Sequence, residues 1–314
     1  MSTLTGTESE RWSLSRAIDA LSDSARQAGH PGLIWFAGLV YTLTAGLGIG
    51  WNGGLAQSVN IEIGPSHAHL PGEFLRVLRG LPLGFLTLFA VLPCGGLVFL
   101  PCFRLTVGLA RIGPARAWQA ACGDRRTPRL RTVWAAGKGV TLAAFGLWLQ
   151  LALMVTAAAL LASLPIAALA KVIEGPVGEA ESAALVGAAL VPLLLLLFGY
   201  VMILSVLNQF ALHSLAHNRR GVYSALLHGW RIMRNDGWAT ARAVLVDLLL
   251  FVTVAMVWSI VTETGRFFGK SGADIGAIVK LVLTGFAGVA RAGYWARAYR
   301  SLGGLSADDG VPGL

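Results

Sequence analysis

Charge is scarce in this chain. Of 314 residues only 13% are Asp, Glu, Lys or Arg, while 55% are hydrophobic and the mean hydropathy is +0.66. A soluble domain ordinarily carries about twice that share of charge, so a soluble core fits poorly even though the length would allow one. From Ser182 to Asn218 there is no ionisable Lys, Arg, Asp or Glu at all. Carboxylates are scarcest, 16 against 25 basic residues, and they are scattered. That argues against a lipid-active enzyme, which needs carboxylates or histidines gathered at the interface. Cysteine is limited to Cys94, Cys102 and Cys122, an odd set with no metal spacing, which argues against a disulfide framework. No Gly-x-Ser-x-Gly elbow, phosphate-binding loop, His-Glu-x-x-His helix or CxxC pair occurs. No catalytic, cofactor-binding or metal set therefore stands out.

Apolar sequence is what the chain has in abundance. About 20 residues free of ionisable groups are needed for a helix to cross the hydrocarbon, and six blocks approach or exceed that length: about 33–50, 82–110, 139–164, 183–214, 243–262 and 275–296. Backbone amides facing lipid must be paired within their own segment, and no barrel-like alternation occurs, so the blocks are expected to be helical. The expected fold is an all-α polytopic membrane bundle of about six spans, residues 33–299, with amphipathic helices at the cytoplasmic interface. Residues 1–32 form a polar, amphipathic cytoplasmic segment, too long and too charged for a simple cleaved signal peptide. Residues 300–314 form a cytoplasmic tail.

Arginine and lysine set the orientation. The N-terminal segment, Arg111 to Lys138, Arg219 to Arg242 and Arg291 to Arg300 hold eighteen of them, whereas the three intervening connections hold five. Cytoplasmic loops carry the basic excess, which places both termini in the cytoplasm of a cell inner membrane. The net charge of +9 is then a topology signal, and no nucleic-acid partner is implied. The expected partners are the bilayer and its anionic headgroups on the cytoplasmic face, contacted by Arg125, Arg126, Arg129, Arg131, Arg219, Arg220, Arg231 and Arg234. On the opposite side His67 and His69, with Glu62 and Glu73 nearby, read more simply as loop surface than as metal ligands.

Two basic loops resemble each other. Leu109-Ala110-Arg111 is followed by Ala117-Trp118-Gln119-Ala120 and by Trp134 before a span, and Leu215-Ala216-His217 by Tyr223-Ser224-Ala225-Leu226 and by Trp238. A weaker third copy runs from Trp12 through Ala17, Ala20, Leu21 and Arg26 to Trp35. The repeating unit would be an interfacial amphipathic segment leading into a helical hairpin. With Ser224-Ala225-Leu226-Leu227-His228-Gly229-Trp230-Arg231 after the fourth span and Tyr294-Trp295-Ala296-Arg297-Ala298-Tyr299 at the close, the chain resembles a loose group of bacterial six-span proteins. That group includes the membrane domain fused to some glycerophosphodiester phosphodiesterases. The resemblance implies a fold and no mechanism, since the phosphodiesterase domain and its metal ligands are absent here.

Polar groups inside spans are the remaining candidates for function, because each is costly unless paired or wetted. Arg104, Asn208, Gln209, His213, Asp247 and Arg291 all fall near the cytoplasmic ends of their spans. Gln209 and His213, four apart, share a helix face. Asp247 is expected to pair with Arg291 or Arg104. Pro93, Pro101 and Pro192 would kink the second and fourth spans, as in carriers with broken helices. The leading expectation is a non-catalytic scaffold, accessory subunit or lipid-interacting component. A small-solute transporter or exporter comes second and a lipid-active enzyme third.

Overall fold

A computed structural model describes residues 12–30, 32–45, 82–87, 93, 96–123, 127–172 and 179–303. Among them the ordered elements are helices, and no strand occurs. In chain order they are α1 (Leu14–Ala28), α2 (Ile34–Ala45), α3 (Leu100–Ile112), α4 (Ala115–Cys122), α5 (Leu130–Ala136), α6 (Thr141–Val172), α7 (Glu179–Asn218), α8 (Val222–Asn235), α9 (Gly237–Phe267) and α10 (Gly269–Ser301).

Four segments are long and apolar enough to cross a bilayer: Thr141–Ala168, Ala188–Asn218, Gly237–Gly265 and Gly269–Ser301. The chain is thus an all-helical membrane protein with four candidate spans among the described residues. Their outward surfaces are what lipid requires, with Leu196 72% and Leu161 67% exposed alongside Leu195, Phe198, Met256 and Ile260. The helices overrun the apolar blocks read from sequence. α9 begins six residues before 243 and α10 runs five residues past 296. Backbone hydrogen bonding does not stop where the hydrocarbon does, so Arg242, Arg297 and Arg300 are carried on helical turns outside it. The blocks at 33–50 and 82–110 lie only partly within the described residues. There α2 covers 12 residues and α3 covers 13.

The chain divides into two compact units, residues 1–56, 99–148 and 206–314 in one, and 57–98 and 149–205 in the other. The described part of the second consists of residues 82–87, 93 and 96–98 with stretches of α6 and α7. It is rich in exposed leucine and continues through Pro165 and Pro192 without a break in the helical record. Pro101 lies in the first turn of α3, where a missing N–H costs nothing, and the helical residues 96–98 before it are broken at Phe99, so the second apolar block is interrupted there.

In the first unit α10 is the central helix and packs against α2, α9 and α1. Its core joins Trp12, Phe210, Ile232, Val246, Tyr294, Trp295 and Tyr299 with a set of alanines. Helix α1 starts where the Ser13 hydroxyl accepts from the Arg16 amide at 3.3 Å. It buries Ala17, Ala20, Ser24 and Ala28, small residues three and four apart that admit α10 closely. Its carbonyls are used as anchors: Arg297 donates to Ala20 at 3.2 Å and to the Ser24 hydroxyl, and Trp35 donates to Ala28 at 2.8 Å. Arg242 of α9 donates to the Trp12 carbonyl at 3.2 Å. Helix α9 is capped by Asp236, whose carboxylate accepts from the Ala239 amide at 2.9 Å.

The two similar loops fold differently. The first holds two short helices, α4 and α5, and buries Trp118. The second is the single helix α8, which runs directly into α9 and leaves Trp230 and Trp238 exposed.

Candidate functional site

Most of the buried polar groups of the first unit fall in three arrangements. The first is the ion pair between α9 and α10. Arg291 donates from Nε to both carboxylate oxygens of Asp247, at 2.8 and 3.0 Å, and from a terminal nitrogen at 2.7 Å. Both residues are buried, Arg291 to 4% and Asp247 to 9% exposure. A guanidinium fork against a carboxylate satisfies charge and hydrogen bonding together, which is what a pair outside water needs.

The second arrangement joins α2 to α7. The side-chain amides of Asn208 and Gln209 donate to the Ala45 carbonyl of α2, Gln209 at 3.0 Å, which pairs polar groups that hydrocarbon could not satisfy. Gln209 also accepts from the Tyr41 hydroxyl at 2.8 Å, so its amide is committed at both ends and its orientation is fixed. Tyr41 lies within electrostatic reach of Asp247 and Arg291. Beside this network Thr42 donates to the Thr284 carbonyl of α10 at 3.4 Å, and Thr44 bonds to Thr106. Tyr41→Phe is expected to lower stability in detergent by about 1–2 kcal/mol, because the Gln209 oxygen loses its donor while staying buried. An unchanged melting temperature would mean that water reaches Gln209.

The third is a stack of rings one turn along α7. His213 lies 5.8 Å from His217 with the rings 10° from parallel, and 6.0 Å from Tyr299. His228 of α8 meets Tyr299 edge-on at 6.1 Å. His213 is fully buried, and neither ring nitrogen has a hydrogen-bond partner among the described residues. Gln209 and His213 do share a face, but Gln209 turns to α2 and His213 to the Tyr299 ring.

Arg104 belongs to none of these and is corrected accordingly. Its Nε donates to the Trp134 carbonyl at 2.9 Å, and its guanidinium carbon lies 4.4 Å from the centre of the Trp134 ring. Seven residues on, Arg111 donates to the Ala136 carbonyl at 2.9 Å. Two arginines on one face of α3 thus cap the carbonyl end of α5, where the helix dipole is negative. Glycines allow the approach, since a Cβ on Gly108 would strike the Val133 carbonyl and one on Gly137 the Arg104 carbonyl.

Of the arginines expected to meet headgroups, Arg129, Arg131, Arg219, Arg231 and Arg234 are exposed and Arg220 is half-buried. Arg125 and Arg126 lie outside the described residues, as do His67 and His69. Arg219 takes a left-handed backbone, φ 49°, and ends α7. Sequence reasoning missed Tyr41 and Tyr299, although a tyrosine inside an otherwise apolar span was the visible signal for the first. Comparison with protein-family models, with curated proteins and with solved structures finds no match to this chain.

Proposed function

We propose that the chain is a six-span, non-catalytic protein of the cell inner membrane, with both termini in the cytoplasm. It serves as a scaffold, accessory subunit or lipid-interacting component. The observation carrying this reading is the outer face of α8, where Tyr223, Leu227, Trp230 and Arg234 recur at helical spacing and are all exposed. Rings and a guanidinium on one stripe suit headgroup depth, while Ala225, Leu226, Gly229 and Ile232 hold the opposite face against the bundle. Helix α1 repeats the scheme with exposed Leu14 and Ile18 beside its buried alanines. Such helices lie in the interface plane and attract anionic lipid through their basic residues. The resemblance to the membrane domain fused to glycerophosphodiester phosphodiesterases agrees with this, because it implies architecture without an activity.

Purified protein is expected to retain anionic lipid through detergent exchange, and to show no headgroup turnover and no ion flux above empty liposomes. Turnover or flux would overturn the non-catalytic reading. Orientation is checked separately. Alkaline phosphatase fused after residue 125 is expected to be inactive and after residue 175 active, and the reverse would invert the topology.

A transport role is the second reading, favoured by His213, a buried imidazole with neither nitrogen partnered among the described residues. Proton uptake by proteoliposomes that is lost in His213→Phe would support it over the first.

A further inference from the structure

Four arginines converge where α3, α7 and α10 end. Gly113, in the turn between α3 and α4, seats on α10, where a Cβ would lie 3.0 Å from the Ala292 carbonyl oxygen and 3.2 Å from the Ala296 methyl. Arg111 and Arg116 flank that turn. One turn along α10, the Tyr299 hydroxyl accepts from the Asn218 amide at 3.0 Å, bringing the last residue of α7 to the same place. Arg219 follows Asn218, and Arg300 follows Tyr299. The four form two mutually repelling pairs. The charge of Arg219 acts on Arg111, and that of Arg116 acts on Arg300. Burial first, and then Arg219, lowers the pKa of the Arg111 guanidinium from its ordinary value.

Charge of one sign gathered in this way needs a counterion. Among the described residues none of the four makes an ion pair with a carboxylate. The ends of α3, α7 and α10, with the end of α5 that Arg111 caps, offer roughly half a negative charge each, leaving a surplus of roughly two positive charges. Guanidinium forks match phosphate oxygens, and basic sites between membrane helices at headgroup depth take phosphorylated lipid. We propose that Arg111, Arg116, Arg219 and Arg300 form a specific site for the headgroup of a membrane lipid bearing two phosphates. One arginine pair serves each phosphate, and acyl chains lie along the adjoining apolar helices. The site rests on the membrane reading above and narrows its lipid partner from any anionic lipid to one class.

Arg116 and Arg219 are exposed and make no hydrogen bond among those described, so they are the residues to change. The full chain is placed in phosphatidylcholine nanodiscs carrying cardiolipin, or phosphatidylglycerol at equal phosphate charge. Bound lipid is then counted by native mass spectrometry. The wild type is expected to prefer cardiolipin. Arg116→Gln with Arg219→Gln is expected to weaken that binding about thirtyfold, from roughly a fivefold contribution per arginine, and to weaken phosphatidylglycerol binding by a much smaller factor, so that the preference for cardiolipin is lost. Arg129→Gln with Arg131→Gln removes the same charge from exposed positions elsewhere and is expected to weaken both lipids by the same small factor, leaving the preference for cardiolipin intact. Arg219→Gly, which suits the left-handed backbone, gives a second variant and is expected to weaken cardiolipin binding about fivefold. Equal losses in the control variant, or no preference for two phosphates over one, would overturn the site. Displacement of cardiolipin by dissolved pyrophosphate would assign the site to a free anion instead. Binding of no anionic lipid by the wild type would sink the broader reading itself.

Discussion

Asp247→Ala is expected to cost the protein about 3–5 kcal/mol in detergent, the range for removing one member of a buried ion pair. The size of the loss follows from what remains. Arg291 is 4% exposed and would keep its charge with the carboxylate gone, and the Tyr41 hydroxyl nearby is already committed to Gln209. Asp247→Asn should fall in the same direction but less far, since the amide oxygen can still accept from one guanidinium nitrogen. The informative variant is the double replacement Asp247→Leu with Arg291→Met. Removing both charges and filling the space with apolar side chains is expected to recover most of the stability, because the desolvation cost disappears together with the attraction. Thermal unfolding followed by size-exclusion fluorescence would measure the wild type, these variants and the two single replacements Asp247→Leu and Arg291→Met that complete the cycle. Additive losses in the double variant would mean that each residue has a separate partner, and no loss in either single variant would mean that water reaches the pair.

The ion pair also marks the boundary of what the sequence made legible. Both residues were visible as ionisable groups at similar depth in apolar spans, and that much follows from hydropathy alone. Choosing between Arg291 and Arg104 requires knowing which helices touch. Arg104 is drawn away by a short helix, α5, whose free carbonyls only exist once that loop has folded. The candidate spans were legible for the same reason that lipid-facing helices must be apolar on their outer faces. Their ends were not, since a helix continues as long as its backbone is paired, and Arg242 and Arg300 ride on turns beyond the apolar run. His213 shows a different gap. Periodicity put it on the face of Gln209, but its neighbours are the rings of His217 on α7 and Tyr299 on α10, and ring stacking leaves no periodic trace. The loop similarity suggested equivalent units, and the matched tryptophans Trp134 and Trp238 are indeed both exposed, but the first loop folds as two short helices and the second as one.

Gly38→Ala is expected to be among the most disruptive single-methyl changes in the chain, costing about 3 kcal/mol or more, at or above the upper end for overpacking. Helices α2 and α10 meet backbone to backbone. A Cβ on Gly38 would strike the Gly285 carbonyl and lie 2.9 Å from the Val289 amide nitrogen, and one on Gly288 would strike the Gly38 carbonyl in return. No side-chain rotation relieves a collision with main chain, so the two helices must separate. Small residues at such crossings are how membrane helices gain van der Waals contact where the hydrophobic effect between them is absent. Separation also withdraws Thr42 from the Thr284 carbonyl and pulls the end of α2 from the Asn208 and Gln209 amides. Gly199→Ala is the matching control. Nothing lies within 4 Å of a Cβ there, in the middle of α7, so the same methyl should be neutral or stabilise by up to about 1 kcal/mol. Opposite signs for the two substitutions in detergent melting are expected, and equal effects would show that α2 and α10 do not touch at Gly38. A second check comes from coupling. If Gly38→Ala undocks α2, adding Tyr41→Phe should cost nothing further, because the Tyr41 hydroxyl has by then already left Gln209.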